Sequence, residues 1–478
     1  MDIINSVEVN NSIEEEIMKM DFADLSFKEA PKIVTEIPGP KSKSLIEKDM
    51  VYDSNCVTYP RTFPIGLDEG KGATVKDVDG NVYIDLFCGI GVLNFGHGNP
   101  YIMKYVKEQQ EKIIHCLDFT TPRRLELLQK LNDVAPAGLK DNCKILLTSP
   151  SGSDAVTSAI RLAKIITQRD TVISFWGSYH GATGESFAVT SWTGAFKCRN
   201  LPALPDYHFV PYPYCYRCAF GKNYPECALQ CMQFLKDTLE NGFSGACPPA
   251  AIILEPVQGE GGIHFPPKEF MQKLRQITAE KGILLIADEV QTGFGRTGKM
   301  WAIEHFDITP DIVTMAKSFG GIGLPLAGIM YKKELDTWSP GTIIGTFRGN
   351  ALGIAAAVGA LDFIKESNLF SHVGKISQTL EQGLKKLQEK YPVIGDVRQK
   401  GMMAAVEFVK DKKTKEPWKE FLDCVLQECM KRGALAWKAG YYFNTLRMLP
   451  PLVITQDLLG KALAILDEAI KVSQKKLS

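Results

Sequence analysis

Between about residue 100 and residue 345, short apolar runs alternate with stretches of helical periodicity. Lys144–Thr148 precedes a helical pattern at Asp154–Thr167, and Thr171–Phe175 has strand character. Ala250–Leu254, Gly282–Ala287 and Ile312–Met315 are short, apolar and closed by polar or turn residues, with helical candidates such as Lys268–Lys281 between them. Strands buried on both faces read as uninterrupted apolar runs, so this alternation predicts a mostly parallel sheet between helices. After residue 350 the pattern changes to a long helix at Ala351–Glu366, a second at Gly374–Tyr391, strand-like segments around Gly401–Val409 and a last helix at Gln456–Lys475. That succession predicts a smaller α+β domain. Near the N-terminus, Ala73–Asp85 alternates apolar and polar residues around Asp79-Gly80-Asn81, a hairpin signal. Residues 1–45 end in Ile37-Pro38-Gly39-Pro40 and read as an arm that frays or packs on a neighbour. The expected division is an arm at 1–45, the first part of the small domain at 46–99, a large domain at 100–350 and the rest of the small domain at 351–478.

Composition narrows the class of protein. With 478 residues and 45% hydrophobic content the chain has ample material for a large core. Lys+Arg and Asp+Glu both number 55, so no field of one sign exists to gather nucleic acid or an anionic membrane. The longest apolar runs, such as Ile283–Ala287 and Ala355–Leu361, fall far short of the roughly 20 residues that span a bilayer. The opening MDIINSVEVNNSIEEEIMKMD is acidic and polar, without the basic and apolar regions of a secretory signal. Twelve cysteines are too sparse for a disulfide scaffold, and a cytoplasmic location is the expectation.

Chemistry gathers at the carboxyl ends of the predicted strands, where ligands bind in sheets of this kind. Lys317 follows the apolar run Ile312–Met315 and precedes Ser318-Phe319-Gly320-Gly321. A lysine held there has little room to snorkel, and a neutral amine attacks aldehydes; the bland alternative is a satisfied lysine at a strand end. Ile283–Ala287 runs into Asp288-Glu289 and a Gly-rich loop. A buried carboxylate must be paired, and the N–H of a protonated pyridine ring would suit Asp288, the likelier inward acid; an N-cap or a loop ion pair is the alternative. Leu147–Ala155 places Ser151, Gly152 and Ser153 between a strand and a helix, an anion site or a simple N-cap. Tyr179-His180-Gly181 offers an aromatic to a flat ring. Glu255–Gly262 reads Glu-Pro-Val-Gln-Gly-Glu-Gly-Gly, and Arg447 stands before a Pro-Pro turn, suited to a bidentate grip on a carboxylate.

Taken together and in this order, from about Tyr59 to the C-terminus, these motifs resemble the class III (ornithine/4-aminobutyrate type) aminotransferases, a branch of the fold-type I pyridoxal-5′-phosphate (PLP) enzymes. The resemblance implies that Lys317 carries PLP as a Schiff base and afterwards moves the proton between substrate carbon and cofactor. It implies that Asp288 partners the ring nitrogen, that Val290 and Tyr179 flank the ring, and that Gln291 lies near the phenolic oxygen. Ser151, Gly152 and Ser153 match the phosphate cup, and His180 and Glu255 belong to the same cofactor set. Thr346 resembles the threonine that reaches the phosphate from the other subunit, implying a homodimer. Arg447 matches the arginine for the substrate α-carboxylate, and Glu260 the acid that pairs with it when the donor has none.

One departure bears on substrate. Ala182 follows His180-Gly181 where 4-aminobutyrate and ornithine-type members commonly carry an arginine for a distal carboxylate. The segments Val210–Cys218, Thr346–Asn350 and Arg447–Leu452 look more like the diaminobutyrate–2-oxoglutarate branch, itself close to PLP-dependent amino-acid racemases. The leading expectation is transfer of an amine from a diamino acid or ω-amino donor to a 2-oxo acid such as 2-oxoglutarate. A racemase or epimerase, and a catalytically dead interaction protein on this fold, are the alternatives; intact Lys317, Asp288 and Arg447 argue against the last. Cys215, Cys218, Cys227 and Cys231 lie in a Pro/Tyr-rich loop placed at Pro202–Pro225 and just beyond it. Their spacing allows a structural zinc clip, although reduced thiols with no metal are the leading expectation.

Overall fold

The computed structural model describes residues 21–199 and 207–477. They form two compact units. One holds Lys104–Ala360 with the short segment Ala439–Tyr442; the other holds the described residues up to Met103, Leu361–Lys438, and the described residues from Phe443 on.

In the second of these units, β1 (Leu67–Lys71), β2 (Thr74–Asp77) and β3 (Val82–Asp85) form an antiparallel meander, the expected hairpin with one further strand at its outer edge. Ile394–Lys400, Met403–Phe408 and Thr445–Met448 pair antiparallel, and helices Leu369–Lys390 and Gln456–Leu477 belong to the same unit. The expected arm is only partly irregular. Its described part contains a 3₁₀ turn at Phe22–Leu25, and a helix begins at Pro40 and runs to Tyr52; residues 1–20 lie outside the described residues. The Asp79 carboxylate, in the turn of the hairpin, accepts from Lys41 N and Ser42 N, both at 2.8 Å, and so caps the helix from 38 and 37 residues away.

The other unit is built on a seven-stranded sheet. Its strands are β4 (Cys143–Leu147), β5 (Val172–Phe175), β6 (Tyr207–Val210), β7 (Ala251–Leu254), β8 (Leu284–Asp288), β9 (Ile312–Met315) and β10 (Gly328–Lys332), in the order β4-β10-β9-β8-β7-β5-β6. Pairing is parallel from β9 through β6, and β10 runs antiparallel to both neighbours. Strands β5, β7 and β9 are buried at every residue. Ala155, Val156, Ala159, Ile160 and Ala163 on helix Gly152–Thr167 cover the sheet, packed with Ala251, Ile253, Ile286 and Ile312. The stretch read as a loop from Pro202 contains β6, the edge strand paired parallel to β5; residues 202–206 lie outside the described residues. Among the described residues no helix is long and apolar enough to cross a membrane.

Candidate active site

Two neighbouring parallel strands set the centre. Asp288 closes β8 opposite Thr314 of β9, and Lys317 opens the 3₁₀ turn that follows β9. The Asp288 carboxylate is 3% exposed. Its Oδ1 accepts from Thr314 Oγ1 at 2.9 Å and from Val290 N at 3.0 Å, and its Oδ2 lies 2.6 Å from His180 Nδ1. Thr314 escaped the sequence reading, although a hydroxyl in the otherwise apolar run Ile-Val-Thr-Met is itself a signal. Lys317 is half-buried and has φ +52°, a left-handed conformation that an L side chain adopts at a cost.

The neighbouring acid turns the other way. Glu289 accepts from Ile303 N at 2.7 Å, from Ala302 N at 3.0 Å and from the Thr292 hydroxyl, so it holds the turn Ala302–Phe306. Burial pushes its carboxyl up to about 7 against those hydrogen bonds. Of the two buried acids, Asp288 faces His180 and Thr314, and Glu289 caps the Ala302–Phe306 turn.

Ser151 caps helix Gly152–Thr167: its Oγ accepts from Asp154 N at 3.2 Å and donates to Asp154 Oδ2 at 2.6 Å. A Cβ on Gly152 would stand 3.1 Å from Val290 Cγ1, so the helix start lies directly against Val290. Ser153 Oγ accepts from Ala182 N at 3.2 Å. Gly181 has φ +140°, and a Cβ there would overlap Ser153 Oγ and Ser186 Oγ, so the helix start and the Tyr179–Gly181 turn meet only because Gly181 is bare. The Tyr179 ring stands at 87° to Trp192, 5.9 Å between centroids, and burial followed by the charge of Glu260 raises its hydroxyl above the ordinary value. Glu255 accepts from Tyr179 N at 3.0 Å and from Gly259 N at 2.7 Å.

Thr346 is exposed in the turn before Asn350, beside Phe347 at 62% exposure. Arg447 belongs to the other unit, buried to 1% on strand Thr445–Met448 opposite Ala405.

The four loop cysteines share one hollow with Tyr212 and Tyr214. Burial, then Cys227 and Cys218, pushes the Cys215 thiol up to about 11; burial, then Cys215 and Cys227, pushes Cys231 up to about 12. Among the described residues no three His, Cys, Asp or Glu are arranged to hold a metal ion.

An amine and a carboxylate at the ends of adjacent strands, with a helix N-terminus beside them, suit an aldehyde, a ring N–H and a phosphate. His180 Nε2 and Gln291 Oε1 are buried polar atoms without a partner among the described residues, as expected where a polar ligand completes the site. These residues fit PLP, and fold and site together define a PLP-dependent transferase of fold-type I.

Comparison with known proteins narrows the class. The aminotransferase class-III family profile matches residues 57–470. A diaminobutyrate–2-oxoglutarate aminotransferase of Rhizobium meliloti (strain 1021) is 38% identical over 411 residues, 84% of this chain and 87% of that protein. An alanine/serine racemase of Pyrococcus horikoshii is 36% identical over 449 residues, 93% of each chain. The PLP-bound structure of an amine transaminase from an uncultivated Pseudomonas species superposes with a TM-score of 0.80 at 27% identity, covering 88% of this chain and 98% of that one. The chain belongs to the class-III aminotransferases. It is a PLP-dependent aminotransferase, as the motifs led us to expect.

Proposed function

We propose that the enzyme moves an amino group from a diamino acid or ω-amino donor, 2,4-diaminobutyrate or a close analogue, to a 2-oxo acid, with 2-oxoglutarate as the acceptor. PLP supplies an aldehyde that condenses with amines and a ring that takes up electron density. Lys317 would carry it covalently, and its amine would move the proton at the substrate carbon. Asp288, held by His180 and Thr314, would accept the ring N–H. Ser151, Gly152 and Ser153 would offer the helix N-terminus to the phosphate. Val290 and Tyr179 would flank the ring, and Gln291 would lie near its phenolic oxygen. Arg447 grips the α-carboxylate of a 2-oxo acid, with Glu260 as its partner when the donor has none.

The observation that carries the reading is the Asp288–Thr314 pairing that sets Lys317 three residues beyond Thr314, with His180 2.6 Å behind the carboxylate. Ala182, exposed where a distal carboxylate would need an arginine, favours a diamino donor over 4-aminobutyrate. A neutral methyl forgoes a charge-assisted bond of about 1.5–3 kcal/mol. Exposed Thr346 and Phe347 support a homodimer in which Thr346 reaches the partner's phosphate site. Sparse cysteines, unpaired among the described residues, are consistent with work in the cytoplasm.

A panel of donors against 2-oxoglutarate and pyruvate, read by amino-acid analysis, tests the assignment. Glutamate should form from 2-oxoglutarate and 2,4-diaminobutyrate, with kcat/KM on the order of 10- to 100-fold above that for 4-aminobutyrate. A preference for 4-aminobutyrate would overturn the donor assignment.

A further inference from the structure

Glu255 follows β7 and is 6% exposed. Both oxygens of its carboxylate are taken by backbone N–H groups of two different turns: Oε1 by Tyr179 at 3.0 Å and Oε2 by Gly259 at 2.7 Å. Beneath it, Tyr212 donates to the Glu255 carbonyl at 3.0 Å, which fixes the backbone from which the side chain reaches. Gly259 precedes Glu260 and lies so close to Gln291 that a Cβ would overlap the amide oxygen. One side chain therefore joins the turn after β5, with Tyr179 and His180, to the turn after β7, with Glu260, and that second turn bears on Gln291.

We propose that Glu255 is a positioning residue: as a carboxylate it clamps the Tyr179 turn to the Gly259 turn, and so fixes the ring of Tyr179 and the acid of Glu260 for the reaction. The proposal rests on the roles assigned to those two residues above. Two N–H donors on two separate oxygens favour the ionised form. A protonated carboxyl turns one oxygen into an O–H donor and a weaker acceptor, which loosens one turn.

The groups facing Glu255 are His180, Asp288, Tyr212 and Tyr441. Both tyrosine hydroxyls are pushed upward by burial and then by Glu255 itself, and they stay protonated near neutrality. Burial pushes Glu255 up to about 7; His180 and the Gly259 and Tyr179 amides pull it down, and Asp288 adds to the upward push. The clamp therefore closes as pH rises through neutrality and opens below it.

Hydrogen exchange on the cofactor-free protein tests the clamp without any catalytic readout. Between pH 8 and pH 6, after correction for intrinsic exchange, protection of the Tyr179 or Gly259 amide should fall about tenfold, following the ionised fraction of a group that titrates near neutrality. Glu255→Gln leaves one amide without its acceptor, so that amide should be unprotected at both pH values. The variant should also bind PLP about tenfold more weakly on reconstitution and lose the acid limb of the kcat/KM profile. Unchanged protection of both amides from pH 8 to 6 in the wild type overturns the proposal even if the variant does not fold. So does an acid limb retained in Glu255→Gln. A clamp that responds as expected in a protein that transfers no amine would sink the functional assignment and leave the clamp standing.

Discussion

Asp288 and Glu289 are chemically alike, adjacent in sequence and turned to opposite sides, so the same small change at each should have different consequences. Asp288→Asn preserves shape and removes charge. An amide oxygen can still accept from Val290 N and Thr314 Oγ1, now at 3.0 and 2.9 Å. The NH₂ then faces His180 Nδ1, 2.6 Å from Oδ2 in the native protein. His180 must present that nitrogen as an acceptor and move its proton to Nε2, a buried atom without a partner among the described residues. Breaking a buried pair by removing one member costs about 3–5 kcal/mol. At about 1.4 kcal/mol per decade, kcat/KM should fall by roughly 10²–10⁴, mostly in kcat, because charge opposite the ring nitrogen matters most as electron density moves into the ring. Glu289→Gln should leave kcat/KM near the wild-type value, since Glu289 holds Ala302 and Ile303, but it should change stability with pH. The Glu289 carboxyl titrates at about 7 in the folded protein, above the roughly 4.3 of an unfolded glutamate. Between those values the folded state holds the extra proton, so wild-type stability is lost as pH rises from about 4.3 to about 7, by about 4 kcal/mol in all. Glutamine has no such loss, so the variant should gain that much on the wild type between pH 4 and pH 8 in denaturant unfolding of the apoprotein. A kcat/KM within tenfold of wild type for Asp288→Asn, or an equal loss for Glu289→Gln, would refute this division of labour.

Three further outcomes follow from the same geometry. Lys317→Ala should abolish the visible absorbance of covalently held cofactor and lower the rate by at least 10²-fold or so, the usual worth of a positioned general base; an unchanged spectrum would remove Lys317 from its role. Ala182→Arg should raise the kcat/KM ratio of 4-aminobutyrate to 2,4-diaminobutyrate on the order of 10- to 100-fold by restoring a charge-assisted bond, a ratio read from initial rates. Single enantiomers incubated with the holoenzyme and no 2-oxo acid should keep their configuration; inversion without an acceptor would favour racemisation over transamination.

The legibility of the fold tracks how far each element's cause lies along the chain. Strands β7, β8 and β9 were readable to within a residue or two because burial on both faces leaves an unbroken apolar run. Strand β10 was not, since what makes Gly328–Lys332 a strand is its antiparallel pairing with Ile312–Met315 and with Cys143–Leu147, the latter far away in sequence. The helix Pro40–Tyr52 hid for a related reason. Its charged sequence has a weak apolar face, and Asp79 caps it from another element.

The site divides along the same line. Lys317 and Asp288 stood out because each opens the polar stretch at the end of an apolar run, and the chain order of the motifs supplied the rest. What surrounds them could not be found, because Thr314 and Tyr212 act through hydrogen bonds to residues 26 and 43 positions away along the chain. The two adjacent acids make the point sharply. Sequence favoured Asp288 as the inward carboxylate, with a cap or a loop ion pair as the alternative, and the backbone capping contacts of the next turn fall to Glu289. Which acid takes which role is decided by the alternation of side chains at a strand end and by the Ala302–Ile303 amides, 13 and 14 residues on, that receive the second carboxylate. Reading chemistry from such a pair therefore means finding the acceptor-hungry backbone that claims one acid and leaves the other as the candidate partner of the proposed ring.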